Sequence, residues 1–512
     1  MECAAAESWS GGAVGMMPRK LRVLLDMSMA CRGYCGIAQD VRLLYKTLAR
    51  CPGLEVTGLI YRSQKFAAPH RFRRGDSPRA DLLAAQAAFL HKLAATGTPG
   101  DYRSLSGILA RAATVSHTLW ARPVRLAPLD ARMFAPALWR QLFQQTLPPE
   151  DLALVEQGRF VLSDMSDGMV FARGLSGRKP LAIDTRGYDF LIVQGPRPLR
   201  VSSGTRHITR YHDMIPVLEP DTMKHPWAIR WHQRAINQSQ QSTFVCNSEP
   251  TRAELVEVFP ELAARSTTIP YTRSDVFRRT HSPAMAVSVL SQRRSPATHQ
   301  PAARSLPRYL MSVSTLEPRK NFLGLIQAFS RVKSLAAAGQ HVGNLKLVIV
   351  GGPGWKHDPI LAAIRPLAAR GDLIHLEGVS SEELRVLYSH AEALVFPSHA
   401  EGFGFPPLEA LQCETPVIAS DLPSHRWVLG DAALYCESNS VESIADEILR
   451  LIAREESGAL RRTLLAGARR QIERFDIDRC AAAWSEFFQE LAATGATQAP
   501  SPGPTKKWRA AA

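Results

Sequence analysis

No apolar run in this chain approaches the roughly 20 residues of a membrane-spanning helix, which excludes a bundle of such helices. Residues 1–20 lack the charged start and apolar centre of a secretory signal, and Met17, just ahead of the first apolar strand, is a candidate start beside Met1. The eight cysteines, Cys3, Cys31, Cys35, Cys51, Cys246, Cys413, Cys436 and Cys480, are scattered and include no Cys-x-x-Cys pair. That spacing argues against a disulfide framework and fits reduced thiols in the cytosol. Helix-turn-helix spacing, zinc-ligand spacing and RNP-like aromatic strings are also missing. The formal charge of +15, from 62 Lys and Arg against 47 Asp and Glu, therefore points to an anionic partner without making it nucleic acid.

Length and composition come next. A chain of 512 residues, 45% hydrophobic, fills two cores of ordinary size. Its most informative stretch is His399-Ala-Glu-Gly-Phe-Gly-Phe-Pro-Pro-Leu-Glu-Ala410, with Glu401 and Glu409 eight positions apart. Ala391–Ser398 before it reads as a buried strand, and Pro406-Pro407 suits a first helical turn, where a missing N–H costs nothing. Glu401 then sits in a strand-to-helix turn and Glu409 near the start of the helix. Gly402 and Gly404 let the backbone approach a ligand, and the helix N-terminus adds inward-pointing N–H groups that suit hydroxyls and an anion.

A second pattern lies upstream. Tyr309–Phe329 reads as strand, loop and helix, with Phe322, Ile326 and Phe329 at helical spacing and Arg319-Lys320 where the loop meets the helix. Two cations beside a positive helix end form an anion site able to hold a diphosphate without a metal ion. Between the two patterns, Leu345–Val350 runs into Gly351-Gly352-Pro-Gly354, and Leu373–Glu377 is followed by a capping box at Ser380–Glu383. This is the alternation of a doubly wound parallel sheet.

The first stretch resembles the Glu-x7-Glu signature of retaining GT-B glycosyltransferases, especially family 4, a likeness that continues through Leu411–Asp421. The second is similar to that family's Glu-Pro-Arg-Lys-Asn element. The resemblance implies that Glu401 faces the donor sugar, Glu409 holds the nucleotide ribose, and Arg319 and Lys320 hold the donor phosphates. It implies backbone contacts from Gly402, Phe403, Gly404 and Phe405, and a metal-independent front-face reaction in which the leaving diphosphate helps to deprotonate the acceptor. Three departures touch donor identity: Glu414 stands for the usual Gly, Ser314 where Gly is common, and Arg426-Trp427 for a usual Pro-Glu.

The N-terminal half carries fainter signals. Leu21–Asp26 is a short apolar strand, and Cys31–Gly36 is a turn leading into a helix with Ile37, Val41, Leu44 and Leu48 on one face. Gly33 and Gly36 resemble the family's glycine loop over the donor phosphates, although a glycine turn before a helix serves structure as readily. The strand His207–Tyr211 presents His212 and Asp213 at its carboxyl end, and His-Asp-x-Ile-Pro looks like the family's acceptor-side strand end. Ser242–Cys246 followed by Asn247-Ser248 repeats the strand-cap-helix pattern. The stretch 103–125 alternates Leu105, Ile108, Leu109 and Trp120 with arginines, the pattern of a helix on an anionic bilayer or of an ordinary packed amphipathic helix.

The expected fold is therefore α/β of GT-B type: two Rossmann-like domains facing a cleft, with a C-terminal helix crossing back. The expected division is a disordered extension 1–17, an acceptor domain 18–275, a flexible linker 276–306, a nucleotide-sugar domain 307–470, a crossover helix 471–491 and a disordered tail 492–512. The expected activity is hexosyl transfer, weakly GDP-mannose-like, from a nucleotide sugar to a glycan or lipid-linked glycan in cell-surface polysaccharide or lipopolysaccharide synthesis. No cofactor, metal or nucleic acid is expected, and the enzyme would work in the cytoplasm, peripherally on the inner membrane if its acceptor is lipid-linked. A catalytically silent GT-B binding module and a sugar-nucleotide epimerase on the same fold are the alternatives. Binding without turnover would favour the module, and epimerisation of free donor the epimerase.

Overall fold

The computed structural model describes residues 19–33, 35–62, 79–94, 123–176, 179–222, 226–239, 241–298, 303–337, 344–452 and 457–493. The arginine-rich stretch 103–125 lies outside these up to residue 122, as do both chain ends.

Short apolar strands alternating with helices build two large sheets, beside a small parallel ladder of Leu181–Ala182 with Leu199–Arg200. The first contains β1 (Leu21–Asp26), β2 (Leu54–Arg62), β3 (Leu126–Leu129), β4 (Arg159–Ser166), β5 (Phe190–Gln194), β6 (Arg206–Tyr211), β7 (Thr243–Cys246) and β8 (Ser266–Thr268). Its order is β8-β7-β6-β5-β1-β2-β4-β3, parallel except where β3 runs against β4. The second contains β9 (Arg308–Val313), β10 (Leu345–Val350), β11 (Leu373–Leu376), β12 (Ala393–Phe396), β13 (Val417–Ser420) and β14 (Ala433–Cys436). Its order is β11-β10-β9-β12-β13-β14 and every neighbouring pair is parallel. Central strands such as Leu347–Ile349 and Ala393–Val395 are wholly buried, as a parallel sheet covered by helices on both faces requires.

Among the helices that cover the sheets are α1 (Gly36–Arg50), α2 (Glu249–Val258), α3 (Pro283–Gln292), α4 (Phe322–Ala337), α5 (Ser381–His390), α6 (Phe405–Gln412) and α7 (Ile477–Ala493). The capping box forms at α5, where Ser380 accepts from the Glu383 N–H and Glu383 accepts from the Ser380 N–H. Helix α1 buries the expected Val41, Leu44 and Leu48, but also Asp40, Arg42, Lys46 and Thr47. A 3.6-residue pattern marks the sheet-facing stripe and cannot show that a second layer covers the polar side. Here Arg42 donates to the Leu142 carbonyl and to Thr146, Lys46 pairs with Asp151 and Asp275, Thr47 bonds Thr272 and Asp40 pairs with Arg210, while α7 closes over the end of the helix and the sheet. Trp484 and Phe488 are buried, the Phe488 ring stands 4.8 Å from Phe190 of β5, and the Cys51 thiol donates to the Ala481 carbonyl.

Residues 276–306 correct a compositional reading. Rich in Ser, Pro, Ala and Arg, they were expected to be flexible, yet they contain α3, which buries Ala286, Val289 and Leu290 against the second domain. The Ser295 N–H then donates to the His375 carbonyl at 2.8 Å, fastening this segment to β11. Three apolar residues on one helical face outweigh the polar average around them.

Glu414 explains its own departure from the family pattern. It follows α6 in the left-handed region at φ 57°, where its N–H donates to the Leu411 carbonyl, a position that favours Gly after a helix. The side chain is exposed and its nearest cation, Arg279, stands 3.9 Å away. Glu414→Gly is expected to stabilise the protein by about 1 kcal/mol, read as a higher midpoint in urea unfolding; an unchanged or lower midpoint would show that the conformation carries no strain.

Candidate active site

The carboxyl ends of the two sheets face each other across a cavity of about 410 Å³, within the range of small-molecule sites. Gly36, Ile37, Gln39, His212, Asp213 and Tyr271 line it from the first domain. Arg319, Lys320, Gly351, Gly352, Gly402, Phe403, Gly404, Phe405 and the two glutamates Glu401 and Glu409 line it from the second. Thirteen of the fourteen candidate residues thus meet at one place. The exception is Gly33, which is not in the lining; at φ 71° it makes the turn before α1, and its carbonyl accepts from Arg42.

The turn after β12 is held by contacts that demand glycine at two positions for different reasons. A Cβ on Gly402 would lie 2.3 Å from the His212 carbonyl of the opposite domain, a distance no side chain tolerates. The Gly402 carbonyl accepts from Ser248 at 3.0 Å and from Thr251 at 3.2 Å, at the start of α2. Gly404 has φ 88°, a conformation that L side chains rarely adopt. Helix α6 follows at once with Pro in its first turn.

Glu401 lies between the two cations. Lys320 Nζ is 2.6 Å from Oε1 and an Arg319 guanidinium nitrogen is 3.0 Å from Oε2. Burial alone would raise this carboxyl, but the charges of Lys320 and Arg319 outweigh it and hold the group at about 2. Burial lowers the Lys320 ammonium against the charge of Glu401, while for Arg319 burial is outweighed by Glu401, Asp213 and Glu317, which raise it. Arg319 also donates to the Ala400 carbonyl at 2.6 Å.

Glu409 has the opposite environment. Only 5% exposed, it accepts from Gln39 Nε2 at 2.9 Å on Oε1 and from the Tyr388 hydroxyl at 3.1 Å on Oε2. With no cation among these partners, burial pushes it up to about 7 against both hydrogen bonds. His212 is buried, with Nδ1 2.6 Å from the Tyr271 hydroxyl. Burial, with the charges of Arg210 and Arg197, lowers it to about 3, so it is neutral at physiological pH; its Nε2 finds no partner among the described residues. Asp213 beside it is raised by burial and by Glu401, and Arg319 opposes the rise. Among the described residues no cluster of three or more His, Cys, Asp or Glu is placed to hold a metal ion.

Several residues that shape the site carry no sequence signal. Tyr271 stacks on Phe405, with centroids 4.9 Å apart and planes 3° apart, and packs on Phe403 at 4.7 Å. These two phenylalanines, 3% and 5% exposed, therefore anchor the turn through their rings. Behind Tyr271 lies the buried Arg210 guanidinium, 4.9 Å from its ring and 5.6 Å from that of Trp484, paired with Asp40 at 3.2 Å. Tyr271 stands in a stretch with no motif, and the patterns that mark the helices of Gln39 and Tyr388 say nothing of a place for either at the site. The N-cap pattern at Ser248 was the one available hint of the contact to Gly402.

Residues 297–470 match the family model described as Glycosyl transferases group 1. The O-antigen chain mannosyltransferase B of Escherichia coli is 29% identical over 299 residues, 58% of this chain and 73% of that protein. O-antigen chain mannosyltransferase RfbU of Salmonella typhimurium is 36% identical over 135 residues, 26% of this chain and 36% of that one. The chain thus covers about a third of the latter's length. Among solved structures, sucrose-phosphate synthase from Thermosynechococcus elongatus superposes with a TM-score of 0.55 at 15% identity, covering 93% of this chain and all of that one. Anabaena HepE in complex with UDP-glucose gives 0.50 at 14% identity, covering 92% and all. At such identities these two likenesses speak for the fold, GT-B, alone.

The raised Glu409 carboxyl has a measurable consequence. In the unfolded chain it ionises near 4.5 and in the folded protein near 7, so its cost to stability grows between those values and is complete above them. Replacing it with neutral Gln removes that cost. From pH 5 to pH 8.5, Glu409→Gln should gain roughly 2–3 kcal/mol relative to the parent in denaturant unfolding; a constant difference across this range would show that Glu409 is already ionised when folded.

Proposed function

We propose, from the premise that this chain is a glycosyltransferase with the GT-B fold and a group 1 glycosyl transferase domain, that it is a retaining hexosyltransferase. It would move the hexose from a nucleoside-diphosphate sugar to a glycan or lipid-linked glycan, in the synthesis of a cell-surface polysaccharide or lipopolysaccharide. One observation carries the reading: Glu401, Arg319, Lys320 and Glu409 lie in one cavity between two Rossmann-like domains. The names of the Escherichia coli and Salmonella relatives support mannose as the hexose and an O-antigen-like acceptor, and GDP-mannose as the donor follows from that. The site of action would be the cytoplasm, with a lipid-linked acceptor met peripherally; among the described residues no helix is long and apolar enough to cross a membrane.

The roles follow from charge. The donor diphosphate brings negative charge to Lys320 and Arg319, which are 12% and 15% exposed and engaged by Glu401. Phosphate oxygens compete for those cations and turn the Glu401 carboxylate toward the sugar. As the anomeric carbon–oxygen bond breaks, diphosphate charge grows beside the cations and positive charge on the sugar grows beside Glu401. The acceptor hydroxyl attacks the same face and its proton passes to the departing phosphate oxygen. His212, neutral at physiological pH, would hydrogen-bond a sugar hydroxyl rather than act as an acid, and Asp213 would contact the acceptor. Glu409 would grip the ribose, and Gly36 and Gly352 leave room for the phosphates, whereas a side chain at Gly351 would collide with the Ser314 carbonyl, so that glycine serves the packing of its own loop. The two cations supply the charge a metal ion would otherwise supply.

Lys320→Ala should weaken a nucleoside diphosphate by roughly 1.5–3 kcal/mol and the nucleoside much less; equal losses in a titration would place Lys320 away from the phosphates. Turnover should persist in EDTA, and strict dependence on added Mg²⁺ or Mn²⁺ would count against the cation site. Glu401→Gln should lower kcat on the order of 10²-fold while nucleoside-diphosphate affinity holds or tightens, since two cations lose a competing carboxylate. Full turnover in that variant would remove Glu401 from the reacting sugar.

A further inference from the structure

Glu409 is held from two sides, and the two sides belong to different domains. The Tyr388 hydroxyl on Oε2 comes from α5 of the second domain and is buried with it. The Gln39 amide on Oε1 comes from the first turn of α1, across the cleft. A carboxylate oxygen carries two lone pairs, so one on each oxygen remains for a pair of ribose hydroxyls.

We infer that Gln39 is a positioning residue for the donor ribose: its amide, reaching over from the glycine-turn helix, orients the Glu409 carboxylate to accept the ribose hydroxyls. The inference rests on the reading of Glu409 as the ribose ligand and extends it to a residue of the opposite domain. An amide N–H donated to a carboxylate favours the charged form, as does a hydroxyl. In a site where burial opposes ionisation, each donor makes the next one bind better. The titratable groups that face Glu409 are Tyr388 and Cys413, both raised far above neutrality by burial, Cys413 to about 12, so neither supplies charge near pH 7. Gln39 is in turn fixed by its helix. Its backbone N–H donates to the Cys35 carbonyl, and the next residue, Asp40, pairs with buried Arg210. By linkage, ribose recognition on the second domain and the seating of α1 with its glycine turn on the first reinforce each other.

The test measures binding of GDP and UDP, each beside its 2′,3′-dideoxy counterpart, to the full chain by titration calorimetry. The variants are Gln39→Leu, the near-isosteric Gln39→Glu, and Glu409→Gln. The parent should prefer the hydroxylated nucleotide by on the order of tenfold or more. Both Gln39 variants should collapse that preference to a few-fold while leaving the dideoxy affinity unchanged. In Gln39→Leu the pH below which the hydroxylated nucleotide loses affinity should also move upward, because Glu409 loses a donor that favours its charge.

If the parent binds neither nucleotide, or does not distinguish the hydroxylated from the dideoxy form, the ribose reading of Glu409 falls and the inference falls with it. If the parent distinguishes them, Glu409→Gln does not, and both Gln39 variants still do, Glu409 stands and the role of Gln39 is overturned. Equal weakening of both nucleotide forms in the Gln39 variants would likewise overturn it, since that is the signature of a purely structural contact.

Discussion

The approach of Gly402 to the His212 carbonyl is the constraint on which the site depends. A backbone-to-backbone contact across the cleft fixes how close the two sheets stand, and only a residue without a side chain permits it. Ser248 and Thr251 seal it by donating to the Gly402 carbonyl, so the turn that carries Glu401 is referenced to the opposite domain as well as to its own strand. The position of Glu401 relative to Arg319 and Lys320 follows, because their loop and the turn after β12 are joined by the His399 N–H on the Arg319 carbonyl at 2.8 Å.

Within that frame two identical carboxyl groups are driven apart by their neighbours. Glu401 has two cations and is held at about 2, whereas Glu409 has an amide and a phenol and is pushed up to about 7. The first is a charge paired with two cations, which in the proposed reaction it would share with an arriving diphosphate. The second is poised near neutrality, so hydrogen-bond donors decide its ionisation. Eight positions of sequence separate them, yet in the proposed reaction they would answer to different parts of one donor molecule.

The aromatic column Phe405–Tyr271, backed by Arg210 and Trp484, connects this chemistry to the chain's last helix. Arg210 is buried and paired with Asp40 of α1, and its guanidinium lies over both rings. One packed column thus contains side chains from α6, the segment after β8, β6, α1 and α7. Removing one member of a buried pair of this kind is costly, because the other charge is left without its partner. Such a column makes the crossover helix part of the wall behind the active site.

Local chemistry decided much of the outcome. Alternating apolar strands with glycine-ended turns specified two parallel sheets, Pro406-Pro407 specified where α6 begins, and Ser380 and Glu383 specified a capped helix, because each is an interaction between near neighbours. The Glu401–Glu409 stretch and the Arg319-Lys320 pair marked the site through their resemblance to the two motifs of the family. The flexible reading of 276–306 failed because average composition hides three apolar residues on one helical face. Tertiary structure alone decided that both cations would be engaged by Glu401, that Gly33 would stand outside the cavity lining, and that Tyr271, Tyr388 and Gln39 would reach the site. Those facts depend on contacts between residues far apart in the chain, such as the 370 positions between Gln39 and Glu409, which exist only once both sheets have formed and the cleft has closed.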